Sequence, residues 1–146
     1  MEFNLAQVHE AVESAVPDRE CIVFRDRRLT YRDVGDRTRQ LANALRARGL
    51  GSVVPRDQLA RHESGQDHLA IYLHNGNEYL ESMLGAYKAR VAPFNVNYRY
   101  VAEELEYLLR DAGARGIVYH STFAPVLAEV LPRLPDLQVL LQVGDG

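Results

Sequence analysis

The sequence from Leu69 to Tyr100, LAIYLHNGNEYLESMLGAYKARVAPFNVNYRY, predicts a strand, a turn, a helix and a second strand. Residues 69–73 form an apolar run of strand length, and the following Asn-Gly-Asn is typical of a turn, with Asn77 as the N-cap of the helix. Residues 91–96 form a second apolar run. Two strands joined by a helix make a right-handed crossover, so we expect them to lie parallel in one buried sheet.

The helix of this stretch is predicted over residues 78–89 by apolar residues that recur every three or four positions. This spacing places them on one helical face that we expect to contact the sheet. The predicted face consists of Tyr79, Leu80, Met83, Leu84, Ala86 and Tyr87.

The N-terminal part of the chain predicts two helices separated by a β-hairpin. Leu5 to Val16 has the spacing of an amphipathic helix, and two short β-rich runs, 21–24 and 29–31, flank a polar turn at residues 25–28. Thr30 and Asp33 match a weak capping box at the start of the longest helix, which we expect to end at Gly49.

After residue 100 the alternation of helices and strands continues. Residues 102–111 predict a helix, 116–119 a strand, 123–131 a helix and 137–143 a last strand. The predicted fold class is therefore α/β, with a parallel sheet flanked by helices and a small β-hairpin.

Residues 50–68 form a polar segment that predicts a surface loop. The segment contains His62, Glu63, Asp67 and His68, which are residue types that bind metals. Their spacing matches no compact ligand motif, and a loop that also contains Pro55 and Gly65 does not preorganise a metal site. We therefore predict no metal site.

The composition excludes several classes of function. The chain has 146 residues and a formal net charge of −3, which argues against nucleic-acid binding. No apolar run approaches the roughly 18 residues of a membrane span, and the N-terminus has no signal-peptide pattern, so the default prediction is a cytoplasmic protein. Cys21 is the only cysteine, and its apolar setting indicates a buried, inert thiol rather than a nucleophile.

The central stretch resembles the first αβ repeat of the adenylate-forming acyl-CoA synthetases, in their fatty-acid–CoA ligase branch. The matching features are an apolar strand, a turn with Asn75, the Lys88-Ala89 pair at a helix end, and an acidic helix that closes on Leu108-Leu109. The sequence NVNYRYVAEEL is most similar to actinobacterial members, and LTYRDVGDRTRQLANALRARGL resembles the N-terminal signature of the family. Residues 50–68 depart from the family pattern, where we expect a surface insertion.

The resemblance implies that residues 1–146 are an incomplete N-terminal subdomain of the AMP-binding domain. The complete enzyme would use ATP, Mg²⁺ and CoA to activate a fatty or steroid side-chain acid through an acyl-adenylate. The family's Pro-Lys-Gly phosphate loop has no match in this sequence, so no catalytic residue is assigned and we expect the isolated chain to be inactive and to bind no cofactor strongly. The implied partner is the remainder of the synthetase, and the resemblance allows a homo-oligomer and peripheral membrane contact.

One candidate site follows the strand predicted at residues 91–96. Ligands bind at the carboxyl ends of parallel strands, and Asn95, Asn97, Tyr98 and Arg99 come at this end. In similar synthetases this segment lies near the CoA channel, so Arg99 is a candidate for a phosphate and Tyr98 for stacking on adenine. In the alternative, structural interpretation, the asparagines bond the turn backbone and Arg99 pairs with Glu103.

A second hypothesis for the whole chain is a small, non-catalytic α/β module that binds or regulates another chain through an exposed sheet edge. No GxGxxG, GxxxxGK[ST], GxSxG or CxxC motif gives the chain an independent chemistry.

Overall fold

The structure, a computed structural model, describes residues 4–144 and contains a hairpin and a four-stranded sheet flanked by helices. The helices are α1 (Leu5–Ala15), α2 (Tyr31–Ala47), α3 (Asn77–Lys88), α4 (Ala102–Asp111) and α5 (Ala124–Val130). The strands are β1 (Glu20–Phe24), β2 (Arg27–Thr30), β3 (His68–Tyr72), β4 (Ala92–Asn95), β5 (Ala114–His120) and β6 (Val139–Val143).

The four-stranded sheet is parallel and has the order β4-β3-β5-β6. Ala70 in β3 lies opposite Phe94 on one side and Ile117 on the other, so β3 is flanked by strands on both sides. Pro93 lies in β4 at an edge of this sheet, where its missing N–H costs no ladder hydrogen bond. The predicted α/β fold with a parallel sheet and a small antiparallel hairpin is confirmed.

A hydrophobic core lies on each face of the sheet. On one face, residues of β3 and β5 pack with α2 and α3 around Leu45, Leu69 and Val118. On the other face, α4 and α5 contribute Leu105 and Val130 to a second cluster. Because both faces are covered, residues 69–72 of the central strand β3 are all buried, whereas burial alternates along the edge strand β6.

The N-termini of α1 and α2 are both fixed by capping boxes. In α2 the Thr30 hydroxyl accepts from the Asp33 amide at 3.2 Å, and the Asp33 carboxylate accepts from the Thr30 amide at 2.8 Å, as predicted. Asn4 caps α1 and also donates its side-chain amide to the Tyr87 carbonyl at 3.2 Å. The first cap therefore also ties α1 to α3.

The hairpin turn is shorter than the sequence predicts. β1 runs to Phe24 and β2 begins at Arg27, so the turn consists of Arg25 and Asp26. Arg25 has φ of 55°, which places it in the left-handed region. Arg27 is therefore the first residue of β2 rather than part of the turn. Its guanidinium forms an ion pair with Glu78 on α3 at 2.8 Å.

The prediction of Asn77 as an N-cap is wrong. Gly76 occupies the cap position, and Asn77 is the first residue of α3 with its side chain buried. The Asn77 side chain donates to Glu81 at 3.0 Å and accepts from Arg27 at 3.4 Å. The Asn77 side chain does not cap the helix because it forms hydrogen bonds with Glu81 and Arg27 instead.

The predicted apolar face of α3 is only partly correct. Tyr79, Met83 and Ala86 pack into the core, but Leu80 is exposed. The buried face also contains the polar Glu81 and Ser82 together with Gly85. Apolar periodicity does not detect this face because α3 contacts α2 through small and ion-paired side chains.

The end of the 50–68 segment is structural rather than a free loop. Asp67 is buried, and its carboxylate accepts from the amides of Gly51 and Ser52 at 2.8 and 3.0 Å and from Arg115 at 2.8 Å. Burial alone would raise the pKa of Asp67, but these donors hold it below its ordinary value. His68 is the first residue of β3 and bonds the Ala112 carbonyl through Nδ1. Neither side chain is therefore available to an ion.

A membrane-spanning helix is not found among residues 4–144, since none of the helices there has both the length and the apolar character that a span requires.

Candidate functional site

The four predicted site residues lie at the carboxyl edge of the parallel sheet. Asn95 is the last residue of β4, and Asn97, Tyr98 and Arg99 follow it in the connection to α4. All four are exposed. The structure places them at one edge, although within residues 4–144 no hydrogen bond, ion pair or ring contact joins Asn95 to the other three.

Tyr98 and Arg99 form a pair in this connection. The guanidinium carbon of Arg99 lies 5.5 Å from the centre of the Tyr98 ring, a cation–π distance. Within residues 4–144 no ion pair joins Arg99 to Glu103, so that part of the structural interpretation is not found. The other part is found for Asn97, whose side-chain oxygen accepts from the Arg99 amide at 3.0 Å.

Aromatic side chains from the ends of β3 and β5 meet beside Tyr98, which follows β4. The His74 ring follows β3 and lies 5.3 Å from Tyr98, 5.3 Å from His120 and 4.6 Å from Phe123, measured between ring centres. Phe123 also stacks on Tyr72 at 4.4 Å. We name these residues the ring cluster: Tyr72, His74, Tyr98, His120 and Phe123.

The buried end of the ring cluster is apolar. Tyr72 is almost fully buried, and this burial raises the pKa of its hydroxyl. His74 and Tyr98 stand at the exposed end, where Tyr98 has 43% of its surface accessible. The ring cluster therefore presents aromatic surface to solvent next to the buried Tyr72 ring, as expected of a platform for a flat ligand.

A cleft of about 300 Å³ opens between the ring cluster and the hairpin. His74, His120 and Thr122 line one side, and Phe24 and Arg25 of the hairpin line the other. The Arg25 guanidinium lies 5.3 Å from the centre of the Phe24 ring. A cationic and an aromatic group thus face the strand ends from a second element.

Sequence reasoning did not assign His74, Thr122, His120 or Phe123 to this site. His74 directly follows the strand predicted at residues 69–73, and Phe123 begins the helix predicted at residues 123–131, so neither position indicated a binding role. The available signal was that His74 and residues 120–123 each follow a strand predicted to be parallel, because the carboxyl ends of parallel strands lie at the same edge of the sheet. The order of the strands decides which of these ends are neighbours, and sequence periodicity does not give that order.

The described part of the chain offers no metal centre. Between residues 4 and 144 no three His, Cys, Asp or Glu side chains converge on one point. Burial raises the pKa of the Cys21 thiol, which disfavours the reactive thiolate. We therefore assign no step to a metal or to a nucleophile of these residues.

Comparison with known proteins gives the site its context. Residues 9–145 match the family of AMP-binding enzymes. The chain is 54% identical over 143 residues to the medium-chain acyl-CoA ligase Mig of Mycobacterium avium, a match that covers 98% of this chain and 26% of that protein. It is 33% identical to a medium/long-chain-fatty-acid–CoA/3-oxocholest-4-en-26-oate–CoA ligase of Mycobacterium marinum, covering 99% of this chain and 24% of the relative.

Solved structures show the same fold. The fatty acyl CoA synthetase of Mycobacterium tuberculosis superimposes with a TM-score of 0.81 at 20% identity, over 96% of this chain and 26% of that one. The chain spans about a quarter of the length of the curated relatives that it matches. The family match covers almost all of the described residues, including the strand ends that carry the ring cluster. This chain is a member of the AMP-binding enzyme family.

Proposed function

We propose that this chain is the N-terminal part of an ATP-dependent acyl-CoA ligase. In the proposed reaction a carboxylate attacks the α-phosphate of ATP, which releases pyrophosphate and forms an acyl-adenylate. The CoA thiol then attacks the acyl carbon and displaces AMP. The observation that carries the proposal is the 54% identity to the M. avium acyl-CoA ligase over 98% of this chain.

The acyl substrate that we propose is a medium-chain fatty acid. The support is the name of the M. avium relative, which matches this chain at much higher identity than the fatty-acid and 3-oxocholest-4-en-26-oate ligases at 33% and 31%. A steroid side-chain acid is the second candidate. A comparison of kcat/KM for the two acid classes decides between them.

The part of the reaction that we assign to the described residues is contact with CoA. Arg99 has no ion-pair partner among residues 4–144 and lies beside an exposed ring, so its guanidinium is available to a phosphate. The exposed face of Tyr98 suits an adenine ring. Asn97 shapes the connection by accepting from the Arg99 amide, and Asn95 would line the same path.

The remainder of the synthetase would hold ATP and Mg²⁺. The described residues form no convergent acidic set and no glycine-rich phosphate loop, so they do not fit these two groups. We therefore infer that the isolated chain has no adenylation activity and binds no cofactor strongly.

The test compares the isolated chain with the full-length ligase that contains it, using pyrophosphate release from ATP and a medium-chain fatty acid. We expect turnover by the full-length ligase and none by residues 1–146. Turnover by the isolated chain, or no acyl-CoA from the full-length protein with any fatty or steroid acid, would contradict the proposal.

The CoA assignment is tested with Arg99→Ala in the full-length ligase. Loss of one charged hydrogen bond to a phosphate, about 1.5 kcal/mol, should raise the KM for CoA about tenfold while pyrophosphate exchange stays unchanged. Arg61→Ala, an exposed arginine of the 50–68 segment, is the control. An unchanged KM for CoA in Arg99→Ala would leave Arg99 with a structural role.

We further infer a cytoplasmic enzyme, because ATP and CoA are cytoplasmic substrates, with peripheral membrane contact during uptake of acyl chains. Cell fractionation with a salt wash tests this location. We also propose a homo-oligomer, and a mass measurement in solution that gives a monomer would refute it.

A further inference from the structure

His74 occupies an unusual position at the carboxyl edge of the sheet. It follows β3, which lies between β4 and β5, and its ring contacts rings that follow both neighbouring strands. The contacts are Tyr98 after β4 and His120 and Phe123 at the end of β5. His74 thus lies between the connection after β4 and the rings at the end of β5.

The orientation of the His74 ring is set from one side by Thr122. The Thr122 hydroxyl oxygen lies 3.4 Å from His74 Nε2 and 2.9 Å from His120 Nδ1. His120 Nδ1 also accepts the Thr122 amide at 3.2 Å, so it carries a lone pair. The Thr122 hydroxyl can therefore donate to His120 Nδ1 and accept from His74 Nε2–H, an assignment of protons that is consistent with both distances.

Two groups contact the Tyr98 ring: His74 from a neighbouring strand end, and Arg99, its neighbour in the chain, whose guanidinium carbon lies 5.5 Å from the ring centre. The connection is held by two hydrogen bonds to Asn97, from the Arg99 amide to its side-chain oxygen and from the Tyr100 amide to its carbonyl, and neither bond involves the Tyr98 ring. Besides His74 at 5.3 Å, the nearest ring is Phe123 at 6.5 Å. Without the imidazole, the exposed Tyr98 ring loses its nearest aromatic neighbour.

We propose that His74 is a positioning residue that holds the Tyr98 ring in the orientation that receives CoA. The inference rests on the proposed function, because it needs Tyr98 to contact CoA. It goes beyond that function by naming a residue on another strand that acts without touching the substrate. His74 takes no proton from CoA in this role and makes no contact with ATP.

The experiment is a mutant cycle in the full-length ligase that contains this chain. An aromatic contact contributes about 0.5–1.5 kcal/mol, so His74→Ala should raise the KM for CoA about two- to tenfold. The kcat and ATP–pyrophosphate exchange should not change. His74→Phe retains a ring and should restore most of the KM. His62→Ala, an exposed histidine of the 50–68 segment, should leave the KM unchanged.

The double variant decides whether His74 acts through Tyr98. If it does, Tyr98→Ala/His74→Ala has the KM of Tyr98→Ala alone. A further rise in the double variant, or a His74→Phe that is as impaired as His74→Ala, overturns the positioning role. If Tyr98→Ala raises the KM and His74→Ala does not, this inference fails while the CoA assignment of Tyr98 holds. If Tyr98→Ala itself has no effect, that CoA assignment fails and the inference falls with it.

Discussion

Arg37 on α2 donates two parallel hydrogen bonds, at 2.8 and 2.9 Å, to the carboxylate of Glu81 on α3. The Glu81 side chain is only 9% exposed, whereas that of Arg37 is 47% exposed. Asn77 adds a third donor at 3.0 Å. A buried carboxylate is thus neutralised by a bidentate arginine from the neighbouring helix, which joins α2 to α3.

Arg37→Ala should destabilise the chain strongly because it leaves a buried carboxylate with one neutral donor. We expect the free energy of unfolding to fall by about 3 kcal/mol, measured by denaturant titration. Arg32→Ala is the matched control on the same helix, since its ion pair with Asp18 is exposed on both sides. A similar fall in the free energy of unfolding in both variants would show that the buried Arg37–Glu81 ion pair stabilises the chain no more than the exposed one.

Asp67→Asn should loosen the junction between residues 51–52 and β5. In the variant, the side-chain NH₂ group replaces one of the two carboxylate oxygens that accept from Gly51, Ser52 and Arg115. We therefore expect the free energy of unfolding to fall by about 2 kcal/mol near neutral pH. Asp57→Asn, an exposed change in the same segment, serves as the control and should be nearly neutral.

The stabilisation by Asp67 should also depend on pH. Because its folded pKa lies below the unfolded value of about 3.9, the stabilisation is complete above that value and is lost as pH falls through the folded pKa. The difference in unfolding free energy between wild type and Asp67→Asn should therefore shrink in acid. A constant difference down to about pH 3 would contradict this assignment.

His9 should make the chain less stable at mildly acidic pH. Both ring nitrogens are buried without a hydrogen-bond partner among residues 4–144. Burial and then the charge of Lys88 lower its pKa, with Arg39 adding to this and Glu10 and Glu13 opposing it. The unfolded chain therefore takes up the proton first, and stability falls as pH drops below about 6.5.

His9→Phe tests this dependence, since it keeps a ring against Tyr31, whose centre lies 5.9 Å away, and removes the titrating group. Unfolding free energies measured between about pH 7 and pH 5 should decline for wild type and for the exposed control His62→Gln, but less for His9→Phe. Parallel curves for all three proteins would refute the prediction.

Gly85→Ala should destabilise the contact between α2 and α3. A Cβ at Gly85 would lie 2.6 Å from Leu41 Cδ2 and 2.9 Å from its Cγ, so Leu41 must move. Overpacking should cost about 1–3 kcal/mol of stability, whereas the higher helix propensity of alanine contributes only about 1 kcal/mol. We therefore expect the free energy of unfolding to fall.

The matching control for this steric argument is the double variant Gly85→Ala/Leu41→Ala. If the two side chains collide, the double variant should be more stable than the sum of the single changes predicts, by about 1 kcal/mol. If the stability changes of the two single variants, measured by thermal unfolding, add up to that of the double variant, the side chain introduced by Gly85→Ala and Leu41 do not collide.

The candidate site could be predicted only in part. The position of Asn95 to Arg99 at the end of a strand follows from the apolar run before it, and the structure places them at the carboxyl edge. Their neighbours His74 and Phe123 lie about 24 residues to either side in the chain. They come together because β3 lies between β4 and β5, an order that local periodicity does not contain.

The sequence by itself determined the elements of this protein. Apolar runs and helical spacing predict the six strands and five α-helices found between residues 4 and 144, because a buried strand is a short apolar run and a helix with one buried face has apolar residues every three or four positions. The Thr30 capping box and the parallel sheet follow from equally local rules.

Only the tertiary structure decided which polar residues are buried. Asp67 and Glu81 look like solvated residues of a loop and a helix, yet both lie inside. A buried carboxylate is stable only where donors compensate its lost hydration, and these come from Arg115, 48 residues after Asp67, and Arg37, 44 residues before Glu81. That pairing depends on how helices and strands pack, which no local pattern of residues specifies.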